Sequence, residues 1–206
     1  MLYYLEKIFR KINKVICYLR GGVMFGKLIY VEKNVTIKGY ENIEIGTKCK
    51  IFQGTILDAT NGKIIFSNNV TICVNSIINS AGGYISVDSG TTVGDLCNLY
   101  GQGGLKIGKN IMIASCVQIV PNQHEYRDVS KAIKFQSEIS KGITIDDGCW
   151  IGTNVVILDN CKIGKNSVIA AGCIVNKSTP DYSVIAGVPS RIIKQYNLIE
   201  KRWINV

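Results

Sequence analysis

A chain of 206 residues with 47% apolar residues can bury one sizeable core, which excludes a disordered, solvating polymer. The net charge of +9 suits anionic partners, yet no recognition helix, aromatic platform or nucleic-acid motif accompanies it, so nucleic acid is not an expected partner. None of the 8 Cys forms a CxxC pair and no apolar run reaches transmembrane length. The cysteines therefore read as free thiols in a reducing, cytoplasmic compartment, with no metal site.

Residues 1–22 read as an amphipathic helix. Leu2, Leu5, Ile8, Phe9, Ile12, Val15, Ile16 and Leu19 share one face at helical spacing, and the other face is basic. Such a helix can cap an open sheet end. It can equally lie on an anionic membrane surface through residues 1–20, making the protein peripheral at the inner face of the cell membrane.

From residue 31 onward large apolar residues recur every six positions. Ile45, Ile51 and Leu57 form one block. Phe66, Ile72 and Ile78 form the next, followed by Val87, Val93 and Leu99, then Ile107, Ile113 and Ile119. Neither a helical period nor a simple alternation gives this spacing. Three hexads fit one triangular coil, with two or three extra residues at a corner, and Val31 and Ile37 begin an irregular first turn. The fold class is therefore all-β, a parallel β-helix of hexapeptide repeats with about seven coils. At about 4.8 Å per coil it is a prism of about 34 Å. The residue four after each large one also points inward. It is Cys at 49, 97, 149, 161 and 173, read as small buried hydrophobes. Asn61 and Thr179 fall at the same phase and suggest a wetter corner.

The register breaks between Ile119 and Ile145, so residues 121–143 project as a long loop from the β-helix domain, residues 23–188. The loop carries His124, the only His in the chain and a candidate general base. The register resumes through Ile145, Ile151, Ile157, Ile163, Ile169 and Val175, and the strict hexads stop at Thr179. The tail, residues 189–206, reads as a short helix in which Ile192, Ile193, Tyr196 and Leu198 pack down.

Three stretches resemble the hexapeptide-repeat acyltransferases, which include maltose and galactoside acetyltransferases and polysaccharide O-acetyltransferases. They are IGKNIMIASCVQIVPNQH (107–124), ITIDDGCWIGTNVVIL (143–158) and IGKNSVIAAGCIVNKSTPDYSVIAGVPSRII (163–193). The resemblance implies left-handed coils, a homotrimer, and acetyl-CoA as the acyl donor for a sugar or glycan acceptor. It implies that His124 takes the proton of an acceptor hydroxyl, which attacks the thioester directly. Transfer to the amine of an amino sugar or nucleotide-amino-sugar is the alternative. Trp150 matches a residue near the thioester, or else packs the base of the loop. Asn98 matches an acceptor-binding Asn, or else serves its own corner. Gly152, Ala170 and Ala171 match the groove that takes pantetheine, or else pack coil on coil. Lys177 and Arg191 match basic positions near the CoA phosphates, or else are solvated surface charges. The N-terminus differs from that of the maltose, galactoside and serine enzymes, which points toward a polysaccharide, glycolipid or nucleotide-sugar acceptor, and its basic amphipathic face suits a lipid-linked one.

Overall fold

The computed structural model describes residues 23–25 and 28–206; the amphipathic segment expected over residues 1–22 and its membrane contact lie outside the described residues. The chain winds into a left-handed parallel β-helix with three flat faces. Face one stacks Ile43–Ile45, Lys63–Phe66, Tyr84–Val87, Leu105–Ile107, Ile143–Ile145 and Lys162–Ile163. Face two runs from Ile29–Val31 through Lys50–Ile51, Thr71–Ile72, Thr92–Val93, Met112–Ile113, Trp150–Ile151 and Val168–Ile169 to Ser183–Ala186. Face three stacks Thr36–Lys38, Ile56–Asp58, Ile77–Asn79, Asn98–Tyr100, Gln118–Val120, Val156–Leu158 and Ile174–Val175.

The register is the one the hexads specify. On face one Ile45 pairs with Phe66, Phe66 with Val87, Val87 with Ile107, Ile107 with Ile145 and Ile145 with Ile163. A short strand cannot bury its apolar side alone, so each coil lays its large residue on the equivalent one below and passes its backbone hydrogen bonds along the prism axis. The bonds Lys50 N–H to Val70 C=O and Trp150 N–H to Ser167 C=O, 2.9 and 3.0 Å, are examples. The inward residues merge into one continuous core.

The corners that follow faces one and two, and the one after Ile157, are made by one device. The residue three after the large apolar one takes a left-handed conformation, with φ between 52° and 76°, at Asn34, Lys48, Gly54, Asn69, Asn75, Gly90, Leu96, Asn110, Cys116, Gly148, Asn154, Asn160, Asn166 and Gly172. Asn and Gly tolerate that region best, and they hold most of these sites.

Two sequence expectations need correction. Asn61 is exposed. The extra corner residues instead send Ala59 and Ile64 inward, both fully buried, which turns Asn61 out. The C-terminal helix is also absent: among the described residues the only helical elements are the 3-10 turns Tyr40–Asn42 and Ile133–Phe135. The tail forms two strands, Arg191–Asn197 antiparallel to Ser183–Ala186, and Arg202–Asn205 antiparallel to Arg191–Asn197. The last coil strand would otherwise leave a row of unpaired backbone groups. Ile192, Ile193 and Tyr196 are β-favouring types that satisfy this edge, and Tyr196 packs edge-on against Trp203 at 5.4 Å. Among the described residues no helix is long and apolar enough to cross a membrane.

Candidate active site

The loop leaves the edge between faces three and one, and it is not structureless. Gln123–His124 and Glu138–Ile139 pair as an antiparallel ribbon that sets His124 opposite Glu138. The His124 Nε2 lies 3.7 Å from Glu138 Oε1, and both side chains are half exposed, at 50% and 52%. That separation is a charge contact rather than a hydrogen bond.

Glu138 carries no signal in the sequence, because ribbon register across 14 residues leaves no local periodicity. Glu125, next to His124 in the chain, is committed elsewhere. Its carboxylate accepts the backbone N–H groups of Arg127 and Tyr126 at 3.1 and 3.0 Å, which holds it below the usual carboxylate range. The ribbon's exit is stapled by Asp159, whose carboxylate accepts the N–H groups of Lys141 and Gly142, both at 2.8 Å.

The other expected residues gather mostly at a different edge, between faces two and three. Gly152 is buried, and a Cβ there would lie 2.6 Å from the Ala171 backbone N. Its bare backbone lets the Ala170–Ala171 corner sit directly on it, so it packs coil on coil. Ala171 and Gly172 are exposed, and nothing lies within 4 Å of a Cβ built on Gly172. The result is a bare ledge that a thin chain can lie along. The terminal AGVPSR segment closes over this edge: Ala170 N–H bonds Ile185 C=O at 2.8 Å, and Ser190 N–H bonds Ile174 C=O at 3.2 Å. Arg191, exposed, ends that closure, while Lys177, also exposed, follows Val175 at the corner that leads from face three back to face one.

Trp150 lies outward on face two, 51% exposed, in register with Met112 below and Val168 above. The loop springs from the opposite edge, so Trp150 does not pack its base. Asn98 points outward on face three and donates from Nδ2 to Gln118 Oε1 at 2.9 Å, one coil further along. It serves a cross-coil ladder rather than its own corner. One side of the prism, about 20 Å for six extended residues, thus separates the His124 edge from the ledge within a single chain.

The buried thiols are not nucleophiles: burial pushes Cys97, Cys149 and Cys161 up to about 11, so they stay protonated at neutral pH. Among the described residues no three His, Cys, Asp or Glu side chains gather as a metal site needs.

The β-helix thus carries its one imidazole on a projecting ribbon and an open backbone ledge at another edge. Similarity to known proteins narrows this. The bacterial transferase hexapeptide family, defined by six repeats, matches residues 142–177. WbbJ of Escherichia coli K12, provisionally assigned as a lipopolysaccharide biosynthesis O-acetyl transferase, is 30% identical over 163 residues, 75% of this chain and 83% of WbbJ. The bifunctional protein GlmU of Wigglesworthia glossinidia brevipalpis is 33% identical over 101 residues, 49% of this chain and 19% of its own. Among solved structures, the N-acyltransferase AntD of Bacillus cereus superposes with a TM-score of 0.58 at 19% identity, covering 93% of this chain and 91% of AntD, a likeness of fold. The chain belongs to the hexapeptide-repeat superfamily of CoA-dependent acyltransferases.

Proposed function

We propose that this chain transfers an acyl group, acetyl in the first instance, from CoA to a hydroxyl or amine of a sugar acceptor, with His124 as general base. The observation that carries the reading is the presentation of His124 on a built ribbon beside Glu138. Neutral imidazole takes the acceptor's proton as its oxygen or nitrogen attacks the thioester carbonyl. The tetrahedral oxyanion then collapses and expels the CoA thiolate, which the imidazolium protonates. Glu138 steadies the positive ring between the two proton transfers. The Trp150 indole N–H or a neighbouring backbone N–H is the candidate donor to the oxyanion. Pantetheine lies on the Ala170–Ala171 ledge above Gly152, and Lys177 and Arg191 meet the CoA phosphates.

The separation of His124 from the ledge supports a homotrimer in which the ribbon of one protomer reaches the ledge of the next. Tyr126, Val129 and Phe135 on the loop are exposed and need such a wall.

Of the two acceptors, the amine of a nucleotide-linked amino sugar has the better support: AntD is an N-acyltransferase crystallised with dTDP and 3-hydroxybutyryl-CoA. The Glu138 carboxylate of the ribbon also suits an acceptor that arrives as an ammonium ion and gives up one proton before it attacks. WbbJ supports the hydroxyl as the second reading. Thiol release from acetyl-CoA with matched amino and hydroxyl nucleotide sugars separates them, because only the true acceptor gives saturable turnover. In that assay His124→Ala lowers kcat by about 10² to 10⁴ and leaves acetyl-CoA affinity by calorimetry unchanged. A variant that keeps more than about a tenth of kcat would show that His124 is not the base.

A further inference from the structure

At the foot of the ribbon, on face one, lies a cleft of about 350 Å³ that the acyl-transfer chemistry described above does not use. Tyr84, Lys106, Lys141, Thr144, Asn160, Lys162 and Ser178 supply its polar lining, and no carboxylate lines it. Lys106 and Lys141 line it with no ion pair among the described residues, and two cations beside one small concavity favour an anion between them. The nearest relief is partial: Lys162 Nζ pairs with Asp146 at 3.0 Å outside the cleft, and Lys106 Nζ lies 5.9 Å from the Tyr84 ring centre.

The floor is rigid because it is backbone on backbone. A Cβ on Gly142 would meet Gly103 O at 2.5 Å, and one on Gly104 would meet the Tyr84 ring at 2.5 Å. The ribbon's exit is thus locked onto the coil that carries Tyr84 and Lys106. Lys141 follows Glu138, the cross-strand partner of His124, by three residues, about 10 Å of extended chain. Cations and catalytic imidazole therefore belong to one rigid unit.

We propose that this cleft is an anion subsite that holds the phosphate or diphosphate through which the acceptor sugar is carried, leaving the sugar to reach His124. The inference rests on the sugar acyl-transfer reading. Phosphate chemistry of this kind is shared by nucleoside diphosphate sugars and lipid diphosphate sugars, and Tyr84 adds a ring on which a base can stack.

The test is calorimetry of inorganic pyrophosphate and of dTDP on the full chain, with saturating CoA so that the donor's phosphate contacts are filled. Both probes should bind, more weakly at higher salt. Lys106→Met with Lys141→Met should weaken them by roughly tenfold or more, and the matching Lys→Arg pair should retain binding. Equal affinity for the two probes assigns recognition to the diphosphate alone; tighter dTDP adds the base. Absence of binding to both probes, or unchanged affinity in the Lys→Met pair, overturns the subsite. His124→Ala should bind both probes normally; if it also keeps acyl transfer, the catalytic reading fails and the subsite stands.

Discussion

The second inward position of each hexad shows how much one atom matters. Val35, Val70, Ile111, Val117 and Val155 fill it as plain hydrophobes, yet its hydroxyl occupants and most of its thiols act as donors to the next coil. Thr55, Ser76, Thr91 and Ser167 each donate to a carbonyl 2.8–3.1 Å away, and the Cys49, Cys97 and Cys149 thiols point at equivalent carbonyls at 3.1 Å. Polar residues at this phase are therefore ordinary and mark no wet corner. Cys161 is the outlier, its sulfur 3.6 Å from Val175 O. Cys149→Ser should thus change stability by no more than about 1 kcal/mol, since the hydroxyl finds a ready acceptor. Cys161→Ser should cost about 1–3 kcal/mol, with the hydroxyl poorly paired. Urea denaturation of the two variants side by side checks this, and equal losses would contradict it. The Cys phase was legible from the period of six, but the carbonyl that each donor meets belongs to the next coil and was not.

At the scale of elements, the ribbon and the tail both formed where the sequence offered no regular pattern. The ribbon makes Glu138, not the adjacent Glu125, the carboxylate that answers to His124. Glu138→Gln should lower kcat by about fivefold at most, the modest effect of an exposed charge pair, with donor affinity unchanged. Glu125→Gln should leave kcat near wild type while loosening the loop, because its carboxylate caps the Tyr126 and Arg127 amides. Steady-state kinetics with the reverse ranking would reassign the partner. The tail was misread because Ile192, Ile193 and Tyr196 fit one helical face as well as a strand. An unpaired sheet edge three residues upstream decided between them.

For the whole molecule, the prism separates base from ledge, and assembly would rejoin them. Ala171→Trp fills the ledge from an exposed position and should abolish donor binding without disturbing the core. Neither it nor His124→Ala should show more than residual activity alone. If each site joins two protomers of a trimer, unfolding and refolding a 1:1 mixture should restore about a quarter of wild-type activity, the chance that both contributors to a site are intact. A mixture that stays inactive would place each site within one chain.

By itself the sequence determined the β-helix and its register. A large residue every sixth position can be buried in only one phase, and the Asn or Gly that often stands three residues later fits the left-handed corner after faces one and two. It also placed His124 on the one long departure from that period. Tertiary structure alone decided the strand pairing of the tail, the meeting of His124 with Glu138, and the lysine cleft at the ribbon's foot. No period in the sequence links those residues, and which of them meet depends on where each coil edge lies after the winding is complete.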